Sequence, residues 1–374
     1  MSLLGQPPGE TGMTLAELDT PALVVDLDAL ERNIQRLPAS PASVGVRVRP
    51  HAKSHKCPEI AHRQIRAGAA GVCCQKVSEA EAMVNGGVLD VHVSNEIVGA
   101  RKLRALAELA RRARLSVCVD DADNLASVAA EVSRAGARLT VFVEIDVGSA
   151  RCGVPPGEAA LELARRVAAF PCLRFGGLQA YFGPAQHMRS VEQRRAASAQ
   201  AAESARRTKV LLSAHGIDCP VVTGGGTGTF AFDATSGVFN EIQPGSYVFM
   251  DADYARNEWT GGGPAFEQSL FVWTTVMSRP SQSLGAVDAG IKSLSNDSGP
   301  PLVSGRPDIE YVRGADEHGV LHFKLPEQAP IVGEKLMLVP GHCDPTVNLH
   351  DWMVAVRGGC VEAVWLVTAR GAIH

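Results

Sequence analysis

The sequence lacks several features that mark whole classes of protein. Its nine cysteines include no Cys-x-x-Cys pair, which predicts free thiols in a reducing compartment. No apolar run reaches membrane-spanning length, and residues 1–13 lack the basic start and apolar core of a signal peptide. The formal net charge of -4 shows no basic excess that would indicate a nucleic-acid or anionic-membrane partner. We therefore predict a cytoplasmic protein that binds neither nucleic acid nor membranes.

The composition is that of a folded protein with a large core. Apolar residues make up 45% of the 374 residues and charged residues 20%, and there is no internal repeat or low-complexity tract. This length exceeds that of one ordinary domain and fits a large barrel with a smaller partner. We expect two unequal domains.

The first two thirds of the chain alternate short β-rich runs with longer segments of helical periodicity, the signature of parallel β/α units. Eight strands are predicted, at residues 22–26, 46–51, 71–74, 90–93, 115–119, 139–145, 175–179 and 221–223. Helices are predicted between them, at residues 59–66, 78–85, 122–135, 158–169 and 190–215. The pattern favours a TIM-type (β/α)8 barrel over residues 21–260, with a doubly wound open sheet as the alternative.

After residue 265 the pattern changes to β-rich runs separated by Pro, Gly and charged turns. Strands are predicted at residues 270–277, 283–288, 310–312, 320–324 and 352–356. These runs predict an antiparallel β domain made of residues 1–20 and 261–374. The Gly-rich residues 260–264 are the predicted linker between the two domains.

Lys53 is the first candidate for chemistry. It lies in the segment RPHAKSHK at residues 49–56, directly after a predicted barrel strand, where barrel enzymes place their catalytic groups. A lysine is more often a solvated surface charge. However, the neighbouring His51, His55 and Lys56 would disfavour a protonated lysine and favour the free amine that imine formation needs.

A Gly-rich turn, TGGGTGT at residues 223–229, follows another predicted strand. Such a turn can present several backbone N–H groups to a phosphate at a barrel mouth. It is not a Walker loop, because the Gly-Lys-Ser/Thr ending is missing. A flexible turn without a ligand is the equally compatible interpretation.

A possible metal pair lies in PGHCDPT, residues 340–346. On an extended segment His342 and Asp344 would point to the same side and Cys343 away from it, so an imidazole nitrogen and a carboxylate oxygen could hold a divalent ion. His350 and Asp351 would then support the ligands from behind. The competing interpretation is a hydrogen-bonded pair in a turn, because metal sites normally need more than two ligands.

Three further side chains follow predicted strand ends. Arg151 lies in the loop after the sixth strand, and Tyr181 and His187 follow the seventh. Histidine is the most usual proton carrier near neutral pH, which makes His187 a candidate base. Ordinary loop side chains are the alternative interpretation of all three.

Taken together, these segments resemble one family: the fold-type III pyridoxal-phosphate enzymes related to alanine racemase, in the D-threonine aldolase and D-serine dehydratase branch. The resemblance extends from about residue 20 to about residue 370. It rests on residues 19–26, 49–56, 73–80, 224–228, 245–247 and 340–346.

The resemblance implies a role for each candidate around the cofactor. Lys53 would bind the aldehyde of pyridoxal 5'-phosphate, Arg151 would lie beside the cofactor ring, and Tyr181 would be an active-site tyrosine. The phosphate would be held by segments that contain Gly225, Gly226, Thr227, Gly245, Ser246 and Tyr247. The family also implies a homodimer of chains with an N-terminal barrel and a C-terminal β domain.

The metal motif discriminates within the branch. His342 and Asp344 match the metal ligands of the aldolases, whereas the dehydratase side typically carries His-x-Cys with zinc. An oxygen ligand suits a harder ion, so Mn2+ or Mg2+ is expected, with Zn2+ as the alternative.

The implied activity is metal-assisted retro-aldol cleavage of D-3-hydroxy-amino acids of the D-threonine type to glycine and an aldehyde. His187 or a metal-bound hydroxide would be the base. The alternatives are cleavage of 3-hydroxy-D-aspartate to glycine and glyoxylate, dehydration of a D-3-hydroxy-amino acid, and a non-catalytic cofactor carrier.

Overall fold

The structure is a computed structural model that describes residues 5–40, 45–259 and 266–374; the predicted linker at residues 260–264 lies outside these ranges. The strands, in chain order, are β1 (Ala22–Asp26), β2 (Arg47–Val48), β3 (Val72–Cys74), β4 (Asp90–Glu96), β5 (Arg114–Val119), β6 (Leu139–Glu144), β7 (Leu173–Ala180), β8 (Val221–Gly224), β9 (Glu241–Ile242), β10 (Leu270–Ser278), β11 (Leu284–Val287), β12 (Leu302–Val303), β13 (Ile309–Gly314), β14 (Gly319–Phe323), β15 (Lys335–Val339), β16 (Trp352–Arg357) and β17 (Cys360–Leu366).

The five predicted helices are present, with ends that differ by a residue or two from the predicted ones. The helices of the described ranges are α1 (Leu27–Ala39), α2 (Pro58–Arg66), α3 (Val77–Asn85), α4 (Ala100–Ala110), α5 (Ala122–Arg134), α6 (Glu158–Ala168), α7 (Val191–Ala214), α8 (Phe230–Ala234), α9 (Ala252–Ala255) and α10 (Cys343–Val347). None of these helices combines the length and the apolarity needed to cross a membrane.

The N-terminal two thirds of the chain form a parallel barrel. Within the described residues, eight strands lie in the order β2-β9-β8-β7-β6-β5-β4-β3. A parallel bridge between His51 and Cys73 joins the ends of this sheet, and the Cys73 amide donates to the Pro50 carbonyl at 2.8 Å. The predicted (β/α)8 barrel is therefore confirmed, and the alternative open sheet is excluded. The carboxyl ends of all eight strands share one mouth.

One predicted barrel strand was assigned to the wrong sheet. β1 pairs antiparallel with β10 and parallel with β16, so it belongs to the C-terminal β domain. The eighth barrel strand is instead β9, which has only two residues and pairs with β2 and β8. The local pattern of β1 followed by α1 matches a β/α unit, and only distant partners reveal the difference.

The second sheet is largely antiparallel and has nine strands in the described part of the chain, in the order β11-β14-β13-β12-β15-β10-β1-β16-β17. An additional β10–β11 pairing closes its first six strands into a small barrel. The predicted antiparallel domain is confirmed, and β12, β15 and β17 add strands that the pattern did not predict.

Two large apolar cores hold the molecule together. One lies between the parallel strands and their surrounding helices and includes Val91, Val117 and Leu161. The other joins the β domain to α1 and to the β2 and β9 side of the barrel, through residues such as Leu30 and Phe249. Because this second core crosses from one sheet to the other, the C-terminal domain is packed firmly beside the barrel mouth.

Candidate active site

Lys53 lies at the barrel mouth, in a 3-10 turn at Ala52–Ser54 that directly follows the β2 edge. The ring Nδ1 of His51 accepts a hydrogen bond from the Lys53 amide at 3.3 Å and caps this turn. The Lys53 Nζ donates to the carboxylate of Asp344. The turn therefore brings the predicted cofactor lysine and a predicted metal ligand into direct contact, although 291 residues separate them in the chain.

The expected influence of cationic neighbours on Lys53 was wrong. Burial lowers the pKa of both His51 and His55, the latter to about 4, so neither imidazole is charged near neutral pH. Lys56 is paired with Glu79 at 2.7 Å. Burial lowers the pKa of Lys53, but the Asp344 carboxylate and Tyr181 raise it by more, so this pKa lies above its ordinary value.

A cavity at the barrel mouth collects most of the predicted cofactor residues. Its lining includes Lys53, Arg151, Tyr181, Gly226, Thr227, Gly245 and Ser246. Gly225 and Tyr247 lie behind this lining: a Cβ on Gly225 would be 2.6 Å from Asp233, and the Tyr247 side chain is in the core. The structure thus brings two distant glycine segments and the lysine to one place.

The glycines of these two segments are required by close packing. A Cβ on Gly226 would lie 2.6 Å from the Gln186 Oε1, and a Cβ on Gly245 would lie 2.5 Å from the Ser54 Oγ. The segments are joined by the Tyr247 amide, which donates to the Thr227 Oγ1 at 3.0 Å. The glycines therefore let the two turns pack directly against Gln186 and Ser54, with Gly226 and Gly245 at the cavity wall.

Gln186 connects the Gly-rich turn to the loop that carries His187. Its buried amide Nε2 donates to the Thr229 Oγ1 at 2.8 Å, and its Oε1 accepts from the Gly228 amide at 2.9 Å. The Thr229 hydroxyl in turn donates to Asp233. The phosphate side of the cavity and the candidate base are thereby parts of one hydrogen-bonded network.

Arg151 and Tyr181 lie together, as the resemblance implies. The guanidinium of Arg151 lies 5.5 Å from the centroid of the Tyr181 ring, and its Nη2 lies 3.9 Å from Glu144. Burial and the neighbouring Glu96 raise the pKa of Glu144 to about 9. The raised pKa of Glu144 weakens its pairing with Arg151, whose side chain lines the cavity.

His187 forms a dyad with a buried carboxylate. Its Nδ1 lies 2.6 Å from the Asp253 Oδ2, which leaves Nε2 as the nitrogen free to exchange a proton. Burial raises the pKa of Asp253, but hydrogen bonds from Arg189 and His187 lower it by more, and the carboxylate stays ionised. The ring of His187 packs on that of Tyr254, with 5.3 Å between centroids.

The predicted metal ligands lie on the C-terminal domain, facing the barrel. His342 Nδ1 lies 2.8 Å from the Asp297 Oδ2, so its Nε2 is the nitrogen available to a metal. This carboxylate–histidine pairing is the one that orients metal-bound histidines in many proteins. Burial raises the pKa of Asp344, but Lys53 and His342 lower it by more, so Asp344 is an anion.

The local geometry of this segment differs from the extended one expected. His342 caps the short helix α10, and Asp344 lies in the first turn of that helix. The supporting partners also differ: His350 bonds the Ser293 carbonyl and Asp351 pairs with Arg370, so Asp297 takes the supporting role expected of them. Pro345, inside the first turn of α10, favours this helical start over a strand.

Sequence reasoning missed six residues that line the cavity. They are His51, Gln75, Ser94, Gln179, Gln243 and Tyr254. A polar side chain at the carboxyl end of a buried parallel strand was the available signal for Gln75, Ser94 and Gln179, because such strands are otherwise apolar. Gln243 could not be found this way, because β9 is too short to be recognised.

The residues fit pyridoxal phosphate. Lys53 supplies the amine, and the Gly-rich turn, Gly245 and Arg151 line the cavity around it. The buried Ser54 Oγ beside Gly245 has no hydrogen-bond partner among the described residues, as expected of a donor reserved for a ligand. His342 Nε2 and the Asp344 carboxylate likewise suit a divalent ion whose remaining ligands are water or substrate.

Comparisons with known proteins identify the family. A family model described as the alanine racemase N-terminal domain matches residues 25–253, and one described as a putative serine dehydratase domain matches residues 269–356. The chain is 50% identical to a D-threonine aldolase from Arthrobacter sp over 98% of its own length and 96% of the relative's. It is 47% identical to a 3-hydroxy-D-aspartate aldolase from Paracoccus denitrificans, over 97% and 95%.

A solved structure gives the same answer. The D-threonine aldolase from Filomicrobium marinum superposes with a TM-score of 0.97 at 52% identity, covering 98% of this chain and all of that one. The chain therefore belongs to the alanine racemase-like family of pyridoxal-phosphate enzymes, in the branch that contains the D-threonine aldolases and D-serine dehydratases. The resemblance inferred from its motifs is confirmed.

Proposed function

We propose that this enzyme cleaves D-3-hydroxy-amino acids of the D-threonine type between Cα and Cβ, yielding glycine and an aldehyde, with a divalent metal ion bound by His342 and Asp344. The enzyme is a carbon–carbon lyase that depends on pyridoxal phosphate. Mn2+ or Mg2+ is the proposed metal, because one of the two ligands is a carboxylate.

The contact between Lys53 and Asp344 carries this proposal. Lys53 is where the cofactor's reactive carbon must be held, and Asp344 is where the metal must be held. A metal next to the reactive carbon would serve Cα–Cβ cleavage, because the β-oxygen of the substrate lies only two bonds from Cα, the carbon that the cofactor activates.

The cavity residues would hold the substrate–cofactor assembly in position. When bound, the cofactor supplies an electron sink for the pair released from the Cα–Cβ bond. The backbone at Gly226, Thr227 and Gly245 would hold its phosphate. Arg151 and Tyr181 also line the cavity and would keep the ring from shifting.

His187 would remove the proton of the β-hydroxyl. Asp253 holds its Nδ1, so the lone pair of Nε2 is free to accept that proton. A bound divalent ion would act as a Lewis acid that lowers the pKa of the same hydroxyl. As the O–H bond breaks, its electrons form the C=O bond of the aldehyde, the Cα–Cβ pair remains on Cα, and a proton added there completes glycine.

A neutral β-substituent is favoured by the charges near His187. Arg189 and Arg256 both donate to Asp253, and Arg189 also donates to Asn257. A β-carboxylate would have to draw one of these guanidinium groups away from Asp253. Cleavage of 3-hydroxy-D-aspartate to glycine and glyoxylate is the second candidate, because a protein with that name is almost as similar to this chain.

Product analysis tests the proposal. Purified enzyme with pyridoxal phosphate and Mn2+ is given D-threonine and each 3-hydroxyaspartate stereoisomer, and glycine is measured against keto acid and ammonia. We expect glycine and acetaldehyde from D-threonine. Keto acid and ammonia would indicate dehydration instead and contradict the proposal.

A matched variant separates the two aldolase candidates. Arg189→Met should lower cleavage of D-threonine and of 3-hydroxy-D-aspartate by the same factor if no β-carboxylate is recognised, because Arg189 then acts only through Asp253. A selective loss of 3-hydroxyaspartate cleavage in this variant would favour the second candidate.

A homodimer in the cytoplasm also stays a prediction, which light scattering of the purified protein and cell fractionation would test.

A further inference from the structure

The hydroxyl of Tyr254 is one of the polar groups of the cavity to which the proposed reaction gives no role. Tyr254 belongs to α9 and lines the same cavity as Lys53. Asp251 caps this helix by accepting from the Tyr254 amide at 2.8 Å, and its other oxygen accepts from the Cys343 amide at 3.0 Å. One buried carboxylate thus fixes Tyr254 relative to α10, the helix of Asp344.

The ring of Tyr254 is held in one direction. Its exposed fraction is only 6%, and it packs against the imidazole of His187 with 5.3 Å between ring centroids. The Tyr254 carbonyl also accepts from the Trp259 indole at 3.2 Å. A ring with this little freedom presents its hydroxyl at a fixed place.

The chain has four tyrosines, all in the described ranges, and they divide into two pairs. Away from the cavity, the Tyr247 hydroxyl lies 3.2 Å from the Gln64 amide, and the Tyr311 hydroxyl donates to the Ala289 carbonyl at 3.0 Å. Among the described residues, the cavity pair, Tyr181 and Tyr254, have hydroxyls with no hydrogen-bond partner. Both side chains line the cavity, so these two hydroxyls are available to a ligand.

Electrostatic surroundings define what the hydroxyl can do. Burial raises the pKa of Tyr254 well above its ordinary value, and Tyr181, Asp251 and Asp344 raise it further. The hydroxyl therefore keeps its proton and is able to donate a hydrogen bond. Its neighbours, His187 and Asp344, are the proposed base and metal ligand for the β-oxygen of the substrate.

We propose that Tyr254 is a catalytic residue whose hydroxyl donates a hydrogen bond to the β-oxygen of the substrate. This inference rests on the proposed aldolase function. The β-oxygen gains negative charge when His187 takes its proton, and it keeps part of that charge until the C=O bond of the aldehyde is complete. A fixed donor aimed at that oxygen stabilises the transition state more than the ground state.

The Tyr254→Phe variant tests this role because it keeps the ring on His187 and removes only the hydroxyl. We expect kcat for glycine formation from D-threonine to fall by about 100-fold, the effect typical of losing one donor to a developing oxyanion. The visible cofactor band and the thermal transition should match those of wild type. Tyr311→Phe, which removes a hydrogen-bonded hydroxyl far from the cavity, is the matched control and should keep full activity.

Ligand binding supplies a second readout that does not depend on turnover. In enzyme loaded with cofactor and treated with a chelator, changes in cofactor absorbance report the binding of glycine and of D-threonine. Tyr254→Phe should bind glycine, which has no β-oxygen, as wild type does, and should bind D-threonine several-fold more weakly. Equal weakening for both ligands would place the hydroxyl on the α-carboxylate and overturn the assignment.

The outcomes also separate this inference from the proposed function. If wild type forms no glycine from any D-3-hydroxy-amino acid, the proposed function itself fails. If wild type forms glycine and Tyr254→Phe keeps kcat within threefold, only the role of Tyr254 is overturned. A large loss of kcat in Tyr181→Phe, without one in Tyr254→Phe, would assign the role to the hydroxyl of Tyr181 instead.

Discussion

The two halves of the active site are built by different physical means. The cofactor half, at the barrel mouth, combines backbone turns and neutral side chains such as Gln243 and the uncharged His51 with the cations Lys53 and Arg151. The metal half, facing it from α9, α10 and the loop of His187, depends on ionised groups, chiefly the Asp344, Asp253 and Asp297 carboxylates.

This difference matches what each half is proposed to bind. A phosphate and a planar ring need close approach and shape, which glycines and a rigid barrel provide. A cation and a hydroxyl about to lose its proton need negative charge and a base, which carboxylates and a histidine provide. The halves should therefore respond differently to mutation, chelation and pH.

Removing Lys53 should give the largest effect, because it breaks the cofactor half. Lys53→Ala should lose the visible absorbance of lysine-bound cofactor and all measurable glycine formation, since no other amine lines the cavity among the described residues. Absorbance spectra and a glycine assay check this. Persistence of the visible band would contradict the assignment of Lys53 as the lysine that binds the cofactor. Lys102→Ala, an exposed lysine on α4, is the control.

Breaking the metal half should abolish activity and spare cofactor binding. A chelator, or either of His342→Ala and Asp344→Ala, should remove glycine formation and leave the visible band in place; Mn2+ should restore only the chelated wild type. Full activity of metal-free protein would contradict the proposed role of both ligands. Loss of the band in either variant would show that the halves are not separable.

The sequence predicted the cofactor half better than the metal half, for a physical reason. Lys53 and the Gly-rich turn can be proposed from the local sequence, because a barrel strand end and a glycine cluster are properties of short segments. The support of His342 by Asp297 joins residues 45 apart, and that of His187 by Asp253 joins residues 66 apart. Such pairings are created by the tertiary fold, and a single sequence does not display them.

The same limit explains the misassigned strand. β1 has the composition of a buried strand and precedes a helix, which is all that local pattern can report. Its partners, β10 and β16, lie about 250 and 330 residues away in the chain. By contrast, the carboxyl ends of all barrel strands lie at one mouth, whichever strands are neighbours, so Arg151, Tyr181 and Lys53 could be placed in one site.

Weakening the dyad of His187 and Asp253 should affect the metal half and spare the cofactor half, because the dyad serves one proton transfer only. Asp253→Asn keeps the shape of the side chain but lets His187 adopt the wrong tautomer, so kcat should fall by about 100-fold with little change in cofactor affinity. The plot of kcat against pH should also lose the inflection that reports the ionisation of this base. Unchanged kcat across pH would show that another group takes the proton.

Gln186 offers a way to disturb both halves together. Gln186→Met removes its bonds to Thr229 and the Gly228 amide, so cofactor affinity and kcat should each fall by about 10-fold. Equilibrium binding of pyridoxal phosphate and steady-state kinetics check this. If only one of the two quantities changes, the Gly-rich turn and the His187 loop are not coupled through this residue.

The smallest expected effect concerns how the stability of the barrel interior depends on pH. Burial lowers the pKa of His92 to about 3, so the folded protein resists a proton that the unfolded chain accepts below about 6.5. Stability from this source is complete above pH 6.5 and is lost as the pH falls toward 3, with a loss of about 2 kcal/mol by pH 5. His92→Gln should therefore show a smaller drop in thermal transition between pH 7 and pH 5 than wild type. His215→Gln, at an exposed position on the helix end, should keep the wild-type drop; equal drops in all three proteins would mean that His92 is not held neutral by the barrel.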